Sequence, residues 1–175
     1  MDNKELMEKA VRFHGHICPG LAIGVIATKY LLDNGFKYSH DEELVAVVEN
    51  DNCSIDALQA ILGTTFGKGN LIHYDYGKNN FNLYDRNTKK AIKLGLKADI
   101  FGSKKLSRDE KVQKLLNSKA SDIFNIYEIE FDPPGLAEIS DSVPCEICGE
   151  LTMSSRLVSY TNRDICIPCY KSLRK

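Results

Sequence analysis

Four cysteines near the C-terminus constrain this chain more than any other feature. Cys145, Cys148, Cys166 and Cys169 stand as C-x2-C-x17-C-x2-C, in the stretches "PCEICGE" and "DICIPCY". They dominate a tail of roughly thirty residues, too short to bury an adequate hydrophobic core. Two pairs of thiolates, each presented from one tight turn, complete a tetrahedral four-sulfur shell, which a structural zinc favours. Metal binding then supplies the folding free energy that the tail lacks. A redox C-x-x-C is the weaker alternative, since such pairs open a helix after a strand. A rubredoxin-like iron fits less well, because Tyr170 follows the second pair where a glycine would ease N–H bonds to sulfur.

The tail also sets the domain boundaries. "DPPGLAEISDSVP" holds three of the five prolines and reads as a connector. The expected division is a core over 1–131, a linker over 132–143 and a zinc-ribbon-like domain over 144–175. All six cysteines are expected as thiols or thiolates, because the N-terminus "MDNKELMEKAVRF" has no apolar leader and a cytoplasmic setting keeps thiols reduced. The longest apolar run, "LAIGVIATKYLL", contains Lys29 and is too short to cross a bilayer.

Within the core, periodicity places helices over 3–14 and 21–33, a strand over 43–50 and a short helix over 53–63. Residues 70–77 and 79–87 alternate with period two around "GKNN" and are expected to form a β-hairpin. Residues 88–97 and 107–118 read as helical, and 122–131 as a further strand. The fold class is therefore α+β, with a mixed, largely antiparallel sheet.

The stretch "RFHGHICPG" carries the core's most distinctive chemistry. If 14–18 is extended, His14, His16 and Cys18 share one face. Cys18 precedes a helix expected to begin near Gly20, and Cys53 starts the next one. Both sulfurs are expected to feel the positive end of a helix dipole, which favours the thiolate. Asp56 can accept a capping bond or a bond from a ligating histidine. One reading has His16, Cys18 and Cys53 converging on a metal, with His14 as a fourth ligand or a supporting base. Simple core cysteines and backbone-satisfying histidines are another. A nucleophile, Cys18 or Cys53 with His16 as base, is a third.

"GTTFGKGNL" is a poor phosphate loop: three residues separate its first two glycines, and Gly69 follows Lys68. It reads as a glycine turn, or as backbone approaching a cofactor near Cys53 with Lys68 supplying charge. Arg156, Arg163, Lys171, Arg174 and Lys175 make the tail a possible nucleic-acid reader. A net charge of −1, acidic neighbours and few aromatics argue against it.

Three blocks of this sequence resemble the FmdE family of formylmethanofuran dehydrogenase proteins. They are "FHGHICPGLAIG", "VENDNCSIDALQAILGTTFGKGNLIHYDYGK" and "VPCEICGELTMSSR" with "DICIPCY". The resemblance implies an αβαβββ core, similar in topology to the catalytic domain of glyceraldehyde-3-phosphate dehydrogenase, and a zinc-ribbon tail. It also implies metal, zinc or another transition ion, at the motif histidines and cysteines, and homodimers. The family takes its name from a complex that fixes carbon dioxide with a molybdenum or tungsten pterin, chemistry that belongs to other components. The implied role is a metal-binding accessory of such an oxidoreductase, or a metal handler. A metal-dependent enzyme with an open position beside His14 and Lys68, and a nucleic-acid regulator with a metal-sensing core, are the alternatives.

Overall fold

A computed structural model describes residues 1–102 and 105–174. The chain divides into two compact units, Met1–Leu136 and a second from Ala137 onward. The first opens with helix α1 (Asn3–His14). The Asp2 carboxylate accepts the Glu5 N–H at 2.8 Å, and Glu5 accepts the Asp2 N–H at 2.8 Å, so a reciprocal cap fixes the start. Leu6, Met7 and Ala10 form its buried stripe. Gly15 stops the helix in the left-handed region, φ 93°, where a side chain would be strained.

Helix α2 (Pro19–Asp33) follows at once. Cys18 Sγ accepts the Leu21 N–H at 3.3 Å, in the place a capping oxygen usually takes, and Pro19 sits where no N–H is needed. The helix is apolar on nearly every side and is correspondingly buried.

Strand β1 (Leu44–Val48) is buried along its whole length, as a central strand should be. Helix α3 (Ser54–Leu62) carries the chain over to strand β2 (Leu71–His73), which pairs parallel to β1 with Val48 opposite His73. Strands β3 (Asn80–Asp85) and β4 (Ala91–Leu96) come next. Helices α4 (Arg108–Leu116) and α5 (Ala120–Ile123) lead into β5 (Phe124–Glu128). The sheet order is β2-β1-β3-β4-β5, antiparallel except for β1 and β2. From α2 to β4 the succession is αβαβββ, the expected core.

One sheet face packs on the helices through Leu44, Ala46, Val48, Phe81, Leu83, Ile92, Leu94 and Phe124. The other buries Val45, Val47, Tyr84 and Ala91 beneath Ile129 and Phe131.

Two elements differ from expectation. The hairpin between 70–77 and 79–87 does not form, because β1 lies between its two strands. Alternation reports an extended chain but not its neighbour. The connection is tied to β1 instead: the Tyr74 N–H bonds Val48 O at 2.9 Å and the Lys78 N–H bonds Glu49 O at 2.9 Å. Residues 88–97 form strand β4 rather than a helix. Its Ala, Lys and Leu are good helix formers, but β3 and β5 pair with it on both sides and Ile92 and Leu94 face the core.

The second unit contains two small hairpins, β6 (Ser142–Pro144) with β7 (Leu151–Met153) and β8 (Leu157–Tyr160) with β9 (Arg163–Cys166). Helix α6 (Ile167–Leu173) follows. Cys145, Ile165 and Cys166 are its buried cluster, packed by Tyr160, Cys169 and Tyr170. Among the described residues no helix is long and apolar enough to cross a membrane.

Candidate metal centre

The donor atoms of His14, His16 and Cys18 lie within 4.8 Å of one another and could hold a metal ion. The segment is not extended, as sequence periodicity suggested. His14 ends α1, Gly15 reverses the chain, and Cys18 begins α2, so a tight turn between two helices gathers the three side chains. The two imidazoles stand 4.4 Å apart, centroid to centroid.

Asp56, in the first turn of α3, sets the chemistry of His14. Its Oδ2 lies 2.6 Å from His14 Nδ1, and its Oδ1 accepts from Gln59 Nε2 at 3.0 Å. An ionised carboxylate only accepts, so Nδ1 carries the proton and Nε2 keeps its lone pair. That lone-pair nitrogen is 3.8 Å from Cys18 Sγ. A tetrahedral ion with N at ~2.0 Å and S at ~2.3 Å places such donors roughly 3.5 Å apart. The residues therefore fit a transition metal, and the carboxylate behind the histidine is the usual support for one.

Cys53 stands beside this group rather than within it. A Cβ at Gly20 would lie 3.1 Å from Cys53 Cβ and 3.9 Å from Cys18 Sγ, so glycine lets the start of α2 approach both cysteines. Cys53 caps α3 only by position: its backbone is helical and its sulfur accepts no capping bond. Asn52 Oδ1 takes the Ser54 N–H instead, at 3.0 Å. The expected dipole effect on Cys53 is overturned. Burial, then the neighbouring Cys18, pushes the Cys53 thiol up.

A cavity of about 220 Å³ adjoins the group, lined by His14, Cys53, Asp56, Phe66 and His73 among others. It opens beyond the C-terminal ends of β1 and β2, where ligands of such sheets gather. Sequence reasoning missed His73. Its signal was the parallel pairing of β2, which the hairpin reading concealed.

Lys68 does not offer its charge to this cavity. Its Nζ donates to Ser39 O at 2.7 Å, and Asn70 in the same turn donates to Ser39 Oγ, Asp41 O and Leu44 O. The glycine turn pins the entry to β1. Gly63 is required there: φ is 72°, and a Cβ would meet Ser39 O at 2.5 Å.

In the tail, the sulfurs of Cys145, Cys148, Cys166 and Cys169 lie within 4.8 Å of one another. Cys148 Sγ is 3.8 Å from Cys166 Sγ, the edge of about 3.8 Å that four sulfurs make around an ion at ~2.3 Å. The first pair is a knuckle, closed by the Gly149 N–H on Cys145 O at 2.8 Å. The second differs from the expected knuckle: Cys166 ends β9 and Cys169 lies in the first turn of α6. Backbone N–H groups of Cys148 and Cys166 hold the Cys145 thiol down to about 6, whereas Cys166 and burial push Cys169 up to about 12. Four thiols this close resist ionising together, and a cation removes that conflict.

Of the tail's basic residues, Arg174 lies over the Tyr170 ring, 5.5 Å from its centroid, and donates to the Tyr170 hydroxyl. Lys175 lies outside the described residues.

A family model described as "FmdE, Molybdenum formylmethanofuran dehydrogenase operon" matches residues 13–130. A protein of Archaeoglobus fulgidus named "Probable S-adenosyl-L-methionine-binding protein" is 30% identical over 195 aligned positions, covering 94% of this chain. The chain spans 52% of that relative's length. A crystal structure of an FmdE-like protein of tungsten formylmethanofuran dehydrogenase, from Syntrophus aciditrophicus, superposes with a TM-score of 0.72 at 22% identity. The match covers 97% of this chain and 92% of that one, and shows a shared fold.

Proposed function

The chain belongs to the FmdE family, and from that premise we propose that it is a metal-binding accessory protein carrying two metals. One transition metal is held in the core by His14, His16 and Cys18, with Cys53 beside them. The other, zinc, is held by the four tail cysteines. The observation that carries this reading is the convergence of two separate donor groups, each with its ligand atoms within 4.8 Å. The family description, with its molybdenum dehydrogenase operon, supports a partner role or a metal-handling role beside such an oxidoreductase.

Six free thiols suit a reducing, cytoplasmic setting, and a homodimer is part of the same reading. The S-adenosyl-L-methionine in the name of the Archaeoglobus relative is not carried over, because about half of that protein lies beyond the match. The cavity of about 220 Å³ is also smaller than the ~300–1,000 Å³ of pockets for drug-sized ligands. It does favour a second reading, in which the core metal keeps a position open for water or substrate.

Elemental analysis of the untagged chain tests the proposal, alongside a Cys18→Ser/Cys53→Ser variant. Two metals per chain falling to one support it. One metal in both confines metal to the tail and overturns the core assignment.

A further inference from the structure

We propose that the core site binds a small, uncharged nitrogen- or oxygen-donor ligand in the cavity beside His14, and that His73 and Phe66 hold it. This inference rests on the core metal reading above and adds to it the class of ligand and two residues.

Two observations meet at the cavity. His73, at the end of β2, lines it, and His73 Nε2 is buried with no hydrogen-bond partner among the described residues. Leaving such a nitrogen unpaired costs about 1–3 kcal/mol, so a native chain that keeps one usually has a use for it. Phe66, also in the lining, is 62% exposed, a large apolar ring turned to solvent at the cavity rather than into the core.

The polar neighbours narrow the ligand. Asn50 donates to Lys78 O and accepts from the Asn52 N–H, while Asn52 donates to Asn79 and accepts from Ser54. Both amides serve the loop. Asp56 serves His14 and Gln59. His73 is thus the side chain left to read a ligand, and the metal held by His14 offers the second point of attachment.

Charge excludes other classes. The lining carries Asp51 and Asp56 and neither lysine nor arginine. Without a cation on the wall, a dianion such as phosphate gains nothing and meets two carboxylates. An uncharged donor with a flat or apolar body can coordinate the metal, pair with His73 and lie against Phe66.

Imidazole is the probe: small, planar, uncharged at pH 8 and a metal donor. The full chain is loaded with cobalt(II), whose visible spectrum reports the coordination of each site, and is titrated with imidazole and separately with phosphate. The expected result is a saturable change in the core cobalt bands with imidazole and none with phosphate. His73→Gln should weaken imidazole about tenfold, and Phe66→Ala about fivefold, with the ligand-free cobalt spectrum unchanged in both. Phe66 is exposed at the cavity, so its variant reads binding even where His73→Gln disturbs folding. A cobalt-loaded core that ignores imidazole, answers phosphate equally, or binds imidazole as tightly without His73 and Phe66 overturns the inference alone. A core that takes up no cobalt overturns the metal reading and this one with it.

Discussion

His14 Nδ1 and Asp56 Oδ2 lie 2.6 Å apart, joining the last residue of α1 to the first turn of α3 across 42 positions of sequence. The His14 side chain is 11% exposed and that of Asp56 33%, so the bond is sheltered on one side and wet on the other. Its function is orientation: it fixes which imidazole nitrogen is free and where that nitrogen points. Asp56→Asn returns a carbonyl oxygen that accepts more weakly, while Asp56→Ala leaves Nδ1 to water. Core metal affinity is expected to fall roughly 10–100-fold in Asp56→Ala and less in Asp56→Asn. Competition against a chromophoric chelator measures it, with the four-cysteine site as an internal standard that stays unchanged.

The tail should respond to metal removal as a unit and the core should not. The buried cluster of the tail is three residues, two of them cysteines. The first unit buries a continuous apolar core from Leu6 to Phe124. A strong chelator, or Cys145→Ser, is expected to open 137–174 to proteolysis while the main thermal transition persists. Limited proteolysis followed by mass spectrometry reads this directly, and cuts scattered through 1–131 would contradict it.

The sequence made parts of this arrangement legible and hid others for identifiable reasons. Local signals carried far: Asp2 and Glu5 announce α1, Cys18 and Pro19 announce α2, and the four tail cysteines announce their own cluster. Asp56 stood out as a partner for a ligating histidine because it lies one turn beyond Cys53. Non-local pairing was hidden. Residues 70–87 show where the chain is extended, but the insertion of β1 between β2 and β3 depends on α3 as a crossover. His73 was lost with that error, since only parallel pairing brings it to the end of β1 beside Val48. The strand over 91–96 was hidden by residues that favour helix in isolation, a preference that two flanking strands override.

The site depends on how closely α2 approaches α3, and Gly24 sets that approach. A Cβ there would lie 2.2 Å from Ser54 O and 2.8 Å from Ala57 Cβ, both on α3. Backbone cannot yield as a flexible side chain can, so Gly24→Ala must push the helices apart. A loss of about 3 kcal/mol is expected by chemical denaturation, with weaker core metal binding because Cys18 and Asp56 ride on these helices. Gly67→Ala is the control: it is exposed, with nothing within 4 Å of the added carbon, and should stay within about 0.5 kcal/mol of wild type.

Acid should release the loop that enters β1. Glu43 Oε2 accepts the Asp41 N–H at 2.9 Å and the Ser39 hydroxyl at 2.9 Å. The Asp41 and Glu43 backbone N–H groups, then Ser39, hold this carboxyl below the usual glutamate value of 4.5. A depressed folded-state pKa means that the folded form favours the carboxylate more than the unfolded form does. The stabilisation is therefore complete above the unfolded value and disappears as pH falls through the lower, folded one. Glu43→Gln is expected to be less stable than wild type at pH 7 and to converge on it below pH 4. Glu49 and Glu110 are also held low and will give both proteins an acid limb, so the informative quantity is the difference between their denaturation midpoints. A gap that stays constant from pH 7 to pH 3 would assign Glu43 a role in packing and not in charge.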